Sequence, residues 1–439
     1  MTYLEAVGHL YSLEQWGIKL GLDNIRAFAH ELGDPQDRIA SIHIAGTNGK
    51  GSVTALLDSI LRAAGYRVGR YTSPHLRDLR ERIHVDGHPV SREAITRFVG
   101  RYWSVIRRRR YTFFETVTAM AFDVFARSRV DVAVAEVGLG GRYDATNILQ
   151  PELSIITNID LDHTDVLGRT RRQIALEKAG IIKEGTPVLM GPMSAPVRRA
   201  IDQVARDRDA PVWSSFDILS SESLPFRDSL RKSRWFCQLL GDHQTANLGV
   251  AIAAALMLQA RWSRLTPGFV RRGTRDAHWP GRFQLSPGRP AVILDVAHNP
   301  AGMRQVVETW RKNFGHRRPV VLFTTRNDKD FRTMWRLLAP CAARWVGCPL
   351  PHSAGIGQTE MRRMADAQSV PFDWRDNAAA ALRHAKALTG REGLVLVTGS
   401  HYLVGDVMPP LNFDNRHSRR AMVQNLSWAE ICRASRVLR

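Results

Sequence analysis

A glycine-rich run near position 46 has the residue types and spacing to bind a phosphate group. The segment Ile42 to Ala45 is short and mostly apolar, and the residues Gly-Thr-Asn-Gly-Lys-Gly-Ser follow it at 46–52. A helical pattern then runs from Val53 to Ala64. A strand, a glycine turn and a helix in this order point unpaired backbone N–H groups and the positive end of a helix dipole at one place. The sequence therefore predicts a phosphate-binding loop, in which Lys50 reaches the outer phosphates and Ser52 offers a hydroxyl to Mg²⁺.

The spacing of this run differs from the strict phosphate-loop pattern. Ile44 stands where the first glycine of that pattern belongs, and Gly51 separates Lys50 from the hydroxyl residue. Taken alone, the run is also compatible with an ordinary glycine-rich turn between a strand and a helix. The function assigned to it therefore depends on what else the chain brings to the same place.

Three further groups lie in or just after predicted strands and could bind a metal ion. Glu136 lies inside the apolar run Asp131 to Val137, where an unpaired carboxylate would cost several kcal/mol. His163 closes an Asp-x-Asp-His run after the strand Leu153 to Thr157, and Ser73 follows another strand. Since parallel strands end at one edge of a sheet, these groups are expected beside the glycine loop. Taken one at a time, a serine or histidine in a loop more often has a structural role than a ligand-binding one.

Lys178 and the aromatic pair Phe113 and Phe114 have simpler interpretations when taken alone. Lys178 follows Glu177 in a helix predicted over Thr170 to Ala179, and such a pair is usually a solvated charge pair. The two phenylalanines open a long helix, where aromatic residues more often belong to the core than to a ligand pocket.

Length and composition indicate a globular protein of two domains. The chain has 439 residues, 44% of them hydrophobic. It contains no apolar run long enough to cross a membrane, and charges stand where a signal peptide would have its apolar core. The four cysteines show no metal-ligand spacing and are interpreted as reduced thiols. These features predict a cytoplasmic protein with no membrane partner.

The formal net charge of +20 leaves two interpretations open. Of the 62 basic residues only eight are lysine, and they are spread along the chain apart from the short run Arg107 to Arg110. Nucleic-acid binding requires a clustered basic face, so it is the less favoured interpretation. A positive field would also steer anionic small molecules to the protein.

The order of predicted elements indicates an α/β protein with two sheets. Strands and helices alternate up to a breaker-rich stretch, Pro280 to Pro290, and the alternation restarts at Ala291. We therefore expect a P-loop-type, mostly parallel-sheet N-terminal domain over 1–286 and a smaller Rossmann-like C-terminal α/β domain over 287–410. The segment 411–439 is polar, with six arginines against two acidic residues, and is expected to be a flexible basic tail.

The motifs together resemble one family. The chain is similar to folylpolyglutamate synthase and bifunctional dihydrofolate synthase, in the Mur ligase superfamily of ATP-dependent amide-bond ligases. The matching stretches, in the family's order over about 400 residues, are HIAGTNGKGSV, YTSPHL, RERI, TFFETVTAMAF, AEVGLGGRYDATNIL, ITNIDLDHTDVLG, EKAGIIK, GDHQTANLGVA, WPGRFQ, ILDVAHNPAGM, DKD and VTGSHYLVGDV. A single one of these motifs is weak, and a dozen in order is strong.

The resemblance implies roles for individual residues. Those implied to bind ATP are Thr47, Asn48, Gly49, Lys50, Gly51, Ser52, Asn247, Arg282 and Asp295, with His298 beside the phosphates. The residues implied to bind Mg²⁺, at two sites, are Ser73, Glu136, His163 and Lys178, the last matching a lysine that family members carry as a carbamate. Lys50, Lys178 and His298 are the implied catalytic residues. The segments implied to hold the pterin-containing substrate are Gly17, Ile18, Lys19 and Leu20; Thr112, Phe113, Phe114 and Glu115; and Tyr143, Asp144 and Ala145.

The implied activity is ligation of L-glutamate to dihydropteroate and to the γ-carboxylate of reduced folates, through an acyl phosphate, by a monomeric enzyme. Val296 stands where the family often has glycine, and Gly347 to Gly357 lacks an Arg-Ala pair common there, so the glutamate site is not assigned. The alternatives are an enzyme that only extends folates, a ligase of peptidoglycan precursors, and a non-catalytic nucleotide- or RNA-binding protein.

Overall fold

The computed structural model describes residues 1–17, 19, 21–223, 227–286, 288–350, 354–408 and 422–436. The chain divides into two compact units. Unit 1 comprises Met1–Trp235, Ala246–Ala277 and Leu426–Arg439, and unit 2 comprises Phe236–Thr245 and His278–Asn425. The boundary expected after residue 286 falls inside unit 2, because β10 (Gln284–Ser286) pairs with the next strand of that unit.

The strands in chain order are β1 (Ser41–Ala45), β2 (Val68–Tyr71), β3 (Ile83–Val85), β4 (His88–Pro89), β5 (Val132–Glu136), β6 (Leu153–Ile156), β7 (Val188–Met190), β8 (Val212–Ser214), β9 (Trp235–Cys237), β10 (Gln284–Ser286), β11 (Ala291–Leu294), β12 (Val320–Phe323), β13 (Arg344–Gly347), β14 (Phe372–Trp374), β15 (Leu394–Thr398) and β16 (Gln424–Leu426).

The α-helices are α1 (Tyr3–Ser12), α2 (Asp23–Glu31), α3 (Lys50–Ala63), α4 (Arg92–Arg109), α5 (Phe113–Arg127), α6 (Thr164–Leu167), α7 (Arg171–Ala179), α8 (Ala195–Arg206), α9 (Ser215–Ser220), α10 (Arg227–Lys232), α11 (Asp242–Leu258), α12 (Pro267–Asp276), α13 (Pro300–Phe314), α14 (Phe331–Leu338), α15 (Gln358–Asp366), α16 (Ala378–Thr389), α17 (His401–Val407) and α18 (Trp428–Ala434). Short 3₁₀ helices lie at Leu13–Trp16, Pro35–Arg38, Leu79–Arg82, Ala145–Ile148 and Ala339–Cys341.

The sheet of unit 1 confirms the expected mostly parallel architecture. Its strand order is β4-β3-β2-β5-β1-β6-β7-β8, with antiparallel pairing only where β2, β3 and β4 meet. The β3–β4 hairpin turns at Asp86 and Gly87, which both have positive φ, as is typical of an Asp-Gly pair in a tight turn. β1 lies between β5 and β6, with Ile44 opposite Glu136 and Ala45 opposite Ile156. The strands that carry the predicted site groups are therefore neighbours, and they end at one edge.

Helices cover this sheet through close contacts at glycine. A Cβ on Gly69 of β2 would lie 2.7 Å from the Phe125 ring of α5, so that helix packs directly on the strand. A Cβ on Gly273 of α12 would lie 2.3 Å from the backbone of Ile60 in α3, and the Ser59 hydroxyl donates to the Gly273 carbonyl at 2.8 Å. The absence of a side chain at these two positions thus sets the distance between neighbouring elements.

Unit 2 contains the second sheet, in the order β10-β11-β15-β12-β13-β14. All its pairs are parallel except β10 with β11. Its core contains Trp335 and Trp345, whose rings stack with centroids 3.6 Å apart. The smaller C-terminal α/β domain expected from the sequence is confirmed.

The tail prediction is wrong for the residues described between 422 and 436. β16 pairs with β9, and α18 begins with a capping box between Ser427 and Glu430. Trp428 and Ile431 are buried, and the Trp428 ring lies 5.7 Å from that of Trp235. This segment forms a packed helix because distant residues such as Trp235 complete its core, and a local sequence pattern could not show that contact. Residues 409–421 and 437–439 of the expected tail lie outside the described residues.

No helix in the described ranges is both long enough and apolar enough to cross a membrane. All four cysteines are free, in agreement with the prediction of reduced thiols.

Candidate active site

The glycine loop after β1 has a backbone that only glycine can follow at two positions. Gly46 has φ of 150°, and a Cβ there would lie 1.9 Å from Thr157 Oγ1. Gly49 has φ of 85°, and a Cβ there would lie 2.4 Å from Asn247 Oδ1. Asn247, which the resemblance implies binds ATP, lies in α11 of unit 1. The structure places its side chain against this loop. Both glycines are needed for the left-handed backbone and for the close approach.

Hydrogen bonds to the segment after β6 hold the loop in place. The Thr47 hydroxyl donates to the Asp160 carbonyl at 3.1 Å and accepts from the Asp160 N–H at 3.0 Å. The Asn48 N–H donates to Asn158 Oδ1 at 2.8 Å, and the Thr157 hydroxyl donates to the Asn48 carbonyl at 2.7 Å. The Thr47 side chain, expected to hold phosphate, thus fixes the loop to the segment after β6. The N–H groups of Thr47 and Asn48 also donate to Asn158, so the N–H groups at the start of α3 are the phosphate donors of this segment.

The helix that follows the loop begins at Lys50 with an open N-terminus. Its N-cap residue is Gly49, which supplies no side-chain cap, and Gly51 and Ser52 lie buried in the first turn. The Lys50 ammonium donates to the carbonyls of Gly46 and Thr47 at 3.0 and 3.3 Å. The lysine therefore folds back over the loop, beside N–H groups that need an anion.

Two of the predicted metal ligands meet where β2 and β5 end. Glu136 is the last residue of β5 and is 5% exposed. Its Oε2 accepts a hydrogen bond of 3.3 Å from the Ser73 N–H, which follows β2. A buried carboxylate beside a hydroxyl residue is a set of oxygen donors that suits Mg²⁺.

His163, the third predicted ligand, precedes α6 as its N-cap residue. Its backbone is left-handed, with φ of 49°, and its side chain is exposed and 3.9 Å from an oxygen of Asp162. In the described part of the chain no three His, Cys, Asp or Glu side chains form a group that could hold a metal. The donor set fits a divalent ion that completes its shell with water and substrate phosphates, as Mg²⁺ does, rather than a site closed by protein ligands.

Lys178 is buried, so its interpretation as half of a solvated charge pair is wrong. It is 4% exposed on α7. Burial and the nearby Lys50 ammonium lower its pKa to about 7, against the opposing effect of Asp162 and Asp144. A Cβ on Gly141 would lie 2.9 Å from the Lys178 carbonyl oxygen, so the glycine-rich loop after β5 packs directly on this helix. Near neutral pH a large fraction of Lys178 is therefore the uncharged amine.

The predicted substrate segments meet at the start of α5. Thr112 caps the helix, and its box with Glu115 uses the Thr112 hydroxyl and the Glu115 carboxylate. Phe113 is buried, whereas Phe114 is half-buried with its ring over Gly138, whose Cβ would lie 2.3 Å from it. Phe114 is therefore the more available of the two rings.

The first predicted substrate segment, Gly17 to Leu20, is joined to this region through Lys19. The Lys19 ammonium donates to the Arg110 carbonyl at 2.7 Å, which ties its segment to the start of α5. Gly17 has φ of 62° and ends a 3₁₀ helix, and Ile18 and Leu20 lie outside the described residues.

In the third segment, Tyr143 is 48% exposed, and Asp144 and Ala145 are buried. The Asp144 carboxylate accepts from the N–H groups of Leu139 and Thr146 at 2.8 and 3.0 Å, and burial raises its pKa. The Asp144 side chain therefore shapes its own loop.

Unit 2 contains the remaining predicted groups. Asp295 follows β11 and accepts from the N–H groups of Phe283 and Ala297, both at 2.8 Å. Burial raises its pKa, and Arg282 opposes that shift. His298 donates from Nδ1 to the Val296 carbonyl at 3.0 Å, which fixes its tautomer when neutral.

Two groups near these sites were not assigned a role from the sequence. The His401 ring of the Gly-Ser-His-Tyr stretch lies 4.9 Å from that of His298. The Asp162 carboxylate favours the protonated form of Lys178 and so acts to raise the pKa of that lysine. Both belong to motifs that were recognised, and only the tertiary fold shows which residue faces which.

Comparison with known proteins identifies the class first. Residues 44–255 match the Mur ligase middle domain, and residues 281–401 match the Mur ligase glutamate ligase domain. The dihydrofolate synthase/folylpolyglutamate synthase of Bacillus subtilis is 34% identical over 427 residues, which cover 92% of this chain and 98% of that protein. The chain belongs to the dihydrofolate synthase/folylpolyglutamate synthase family of Mur ligases.

Two solved structures show the same fold. The Escherichia coli enzyme FolC in complex with DHPP and ADP has a TM-score of 0.77 and 29% identity, with 94% of this chain and 98% of that chain covered. The bifunctional folylpolyglutamate synthase/dihydrofolate synthase of Yersinia pestis, complexed with AMPPNP and Mn ion, has a TM-score of 0.77 and 30% identity, with the same coverage.

Proposed function

We propose that this protein is an ATP-dependent ligase that adds L-glutamate to dihydropteroate, forming dihydrofolate, and to the γ-carboxylate of reduced folates. The observation that carries the proposal is the edge of the first sheet, where an open helix N-terminus with Lys50 adjoins the Glu136 carboxylate and the buried Lys178. The related enzymes bind ADP, AMPPNP and DHPP, which are a nucleotide product, an ATP analogue and a pteroate-type ligand.

The reaction we propose has two steps. The substrate carboxylate attacks the γ-phosphorus of ATP, and the bond to the ADP leaving group breaks, which gives an acyl phosphate. The amine of L-glutamate then attacks the acyl carbon, phosphate leaves, and the ammonium proton is lost to solvent. The loop N–H groups and Lys50 neutralise the charge that develops on the transferring phosphate, and the remaining residues position the two reactants.

Ser73, Glu136 and His163 are the residues we assign to a divalent ion. Bound Mg²⁺ supplies charge neutralisation and orientation of the phosphate oxygens. Glu136 contributes the charged oxygen from the sheet edge, and the backbone N–H of Ser73 orients that carboxylate. In unit 2 we assign Arg282 and Asp295 to ATP and His298 to the region of its phosphates.

We further propose that Lys178 is carbamylated and contributes to a second metal site. The uncharged amine adds to CO₂, forms an N–C bond and releases one proton, which gives a carbamate anion. The pKa of about 7 supports this proposal, because the free amine required for the addition is present at neutral pH. The change replaces a cation next to Lys50 with an anion, which removes the repulsion between the two ammonium groups.

We propose that the reaction takes place in the cytoplasm and that the working enzyme is a monomer. The requirement for ATP and the four free thiols support the first assignment. Size-exclusion chromatography with light scattering tests the second, which expects a single species near 49.4 kDa.

The decisive experiment measures ADP release with MgATP and L-glutamate, side by side with dihydropteroate and with tetrahydrofolate. Release with both substrates is expected, with the glutamylated products identified by mass. Release with tetrahydrofolate alone would restrict the enzyme to folate extension. Release only with UDP-sugar peptides, or salt-dependent RNA binding without any product, would reject the proposed function.

A further inference from the structure

The Arg-Glu-Arg-Ile motif has no role in the site described so far. It spans the end of the 3₁₀ helix Leu79–Arg82 and the start of β3. The Glu81 carboxylate accepts from the N–H groups of Leu76, Arg77 and Asp78 at 2.8, 3.0 and 2.9 Å, which closes the loop after β2. Arg80 forms an ion pair of 3.0 Å with Asp78. Two of the three charged residues of the motif therefore have clear structural partners, and Arg82 remains.

Arg82 is a mostly buried cation whose described contacts are a histidine and an aromatic ring. The residue is 9% exposed. Its Nε donates to His75 Nδ1 at 2.8 Å, and its guanidinium carbon lies 5.1 Å from the centroid of the Phe113 ring. In the part of the chain that the structure describes, no carboxylate pairs with this guanidinium, and Nη1 and Nη2 donate no hydrogen bond. Nη1 and Nη2 keep some access to solvent, so a ligand can reach them, and an anion bound there would offset the cost of removing most of the guanidinium from water.

The neighbours of Arg82 cannot neutralise its charge. His75 Nδ1 accepts the hydrogen bond from Arg82, so that nitrogen carries no proton and the ring is uncharged. His75 Nε2 then carries the ring proton and donates to the Tyr11 hydroxyl at 3.0 Å. The Tyr11 ring stacks on Phe113 with centroids 5.6 Å apart. These side chains fix the direction of the guanidinium and leave its two terminal nitrogens for a ligand.

We infer that Arg82 binds the carboxylate of the incoming pteroate or folate, an inference that rests on the proposed function. Nη1 and Nη2 form the planar pair of donors that a carboxylate accepts in parallel. The Arg82 guanidinium lies over the ring of Phe113, which belongs to a predicted substrate segment. Its hydrogen bond to His75 also joins it to the loop that carries Ser73. A carboxylate that must approach the triphosphate of ATP is repelled by it, and a fixed cation beside its path offsets that repulsion.

The test compares two ligands that differ only in charge. Dihydropteroate has one carboxylate, and its carboxamide has none. Equilibrium binding of both to the full-length protein is measured by calorimetry for the wild type and for Arg82→Gln, Arg82→Met and Arg80→Gln. We expect the wild type and Arg80→Gln to prefer the acid by about 10- to 100-fold, as for a charged hydrogen-bonded pair. We expect both Arg82 variants to bind acid and amide within about twofold of each other.

A purely structural role for Arg82 would weaken both ligands equally and leave the ratio unchanged, and that result overturns the inference. If neither Arg82 variant folds, the wild type still decides, because equal binding of acid and amide overturns the inference without any variant. ADP release from dihydropteroate and glutamate in the same preparation separates the two proposals. Ligation without an acid preference rejects the role of Arg82 alone, whereas no ligation and no binding rejects the proposed function as well.

Discussion

Lys178 and Lys183 are two lysines of one short motif that lie in different environments. Lys178 is fully enclosed, and its pKa is lowered to about 7 by burial and by Lys50. Lys183 is half-buried, its pKa is lowered to about 8, and its ammonium donates to the Asn147 carbonyl at 2.7 Å. Both therefore share the depressed pKa that often marks a functional lysine. The difference lies in their partners. Both lysines have cations nearby, Lys50 for the first and Arg208 and Arg26 for the second, but two carboxylates lie near Lys178, whereas Lys183 donates to a backbone oxygen.

The comparison shows that burial alone does not identify the reactive group. A lysine with a dedicated carbonyl acceptor has a structural reason to be where it is. Lys178 lies within the electrostatic influence of Lys50 of the glycine loop, and of Asp162, which directly precedes His163. We therefore expect chemistry at Lys178 and stability at Lys183, and the following predictions separate the two.

The largest effect is expected for Lys178→Ala. This variant should lose at least about 100-fold in ligation rate, a loss typical of removing a preorganised charged group from an active site. The circular dichroism spectrum should stay that of the wild type, since Asp144, one of the two carboxylates near Lys178, keeps its hydrogen bonds to backbone N–H groups. ADP release with dihydropteroate and glutamate measures the rate. Near-normal turnover in this variant would remove the carbamate from the mechanism. The matched control is Lys183→Ala, which should keep its activity within about twofold of the wild type.

A smaller effect is expected from removing CO₂. Protein exchanged into degassed, bicarbonate-free buffer should lose activity, and bicarbonate should restore it, because a carbamate exchanges with dissolved CO₂. Addition of ¹³C-bicarbonate should give one carbamate signal in the carbon NMR spectrum of the wild type, and the same signal in Lys183→Ala. A signal that persists in Lys178→Ala, or activity that ignores CO₂, would contradict the assignment.

The elements that sequence could predict are those with strong local signals. The β1 strand, the glycine turn and α3 follow from apolar runs and glycine spacing. α18 was missed because its buried face is completed by Trp235, which is nearly 200 residues away. A local pattern cannot report such a partner.

The site was predictable to the level of motifs and not of contacts. The residues at the ends of β1, β2 and β5 could be grouped because parallel strands end at one edge. The sequence could not show that the Thr47 hydroxyl would bond to the Asp160 backbone, or that Arg82 would be buried with no carboxylate partner among the residues the structure describes. Each of these facts depends on side chains that meet only after folding.

The smallest effect concerns the pH dependence of stability at Lys183. Its folded pKa of about 8 lies below the ordinary value of 10.5, so above about pH 8 the folded chain has released a proton that the unfolded chain still holds. The free energy of unfolding contributed by this group therefore rises with pH between about 8 and 10.5, and the burial penalty is fully present below pH 8. Lys183→Met removes this dependence.

Urea unfolding of the wild type and Lys183→Met at pH 7.5 and 9.5 measures the difference. Loss of the hydrogen bond to Asn147 should cost the variant about 1 kcal/mol, a term that is the same at both pH values and is offset below pH 8 by relief of the burial penalty of the ammonium. On top of this constant term, the wild type should gain up to about 1 kcal/mol over the variant as the pH rises, a figure reduced for partial solvent exposure of the ammonium. A wild type that gains nothing relative to the variant would mean that the Asn147 carbonyl keeps Lys183 protonated throughout. The two lysines would then differ in charge state as well as in partners, which would make Lys178 the sole neutral amine of the pair.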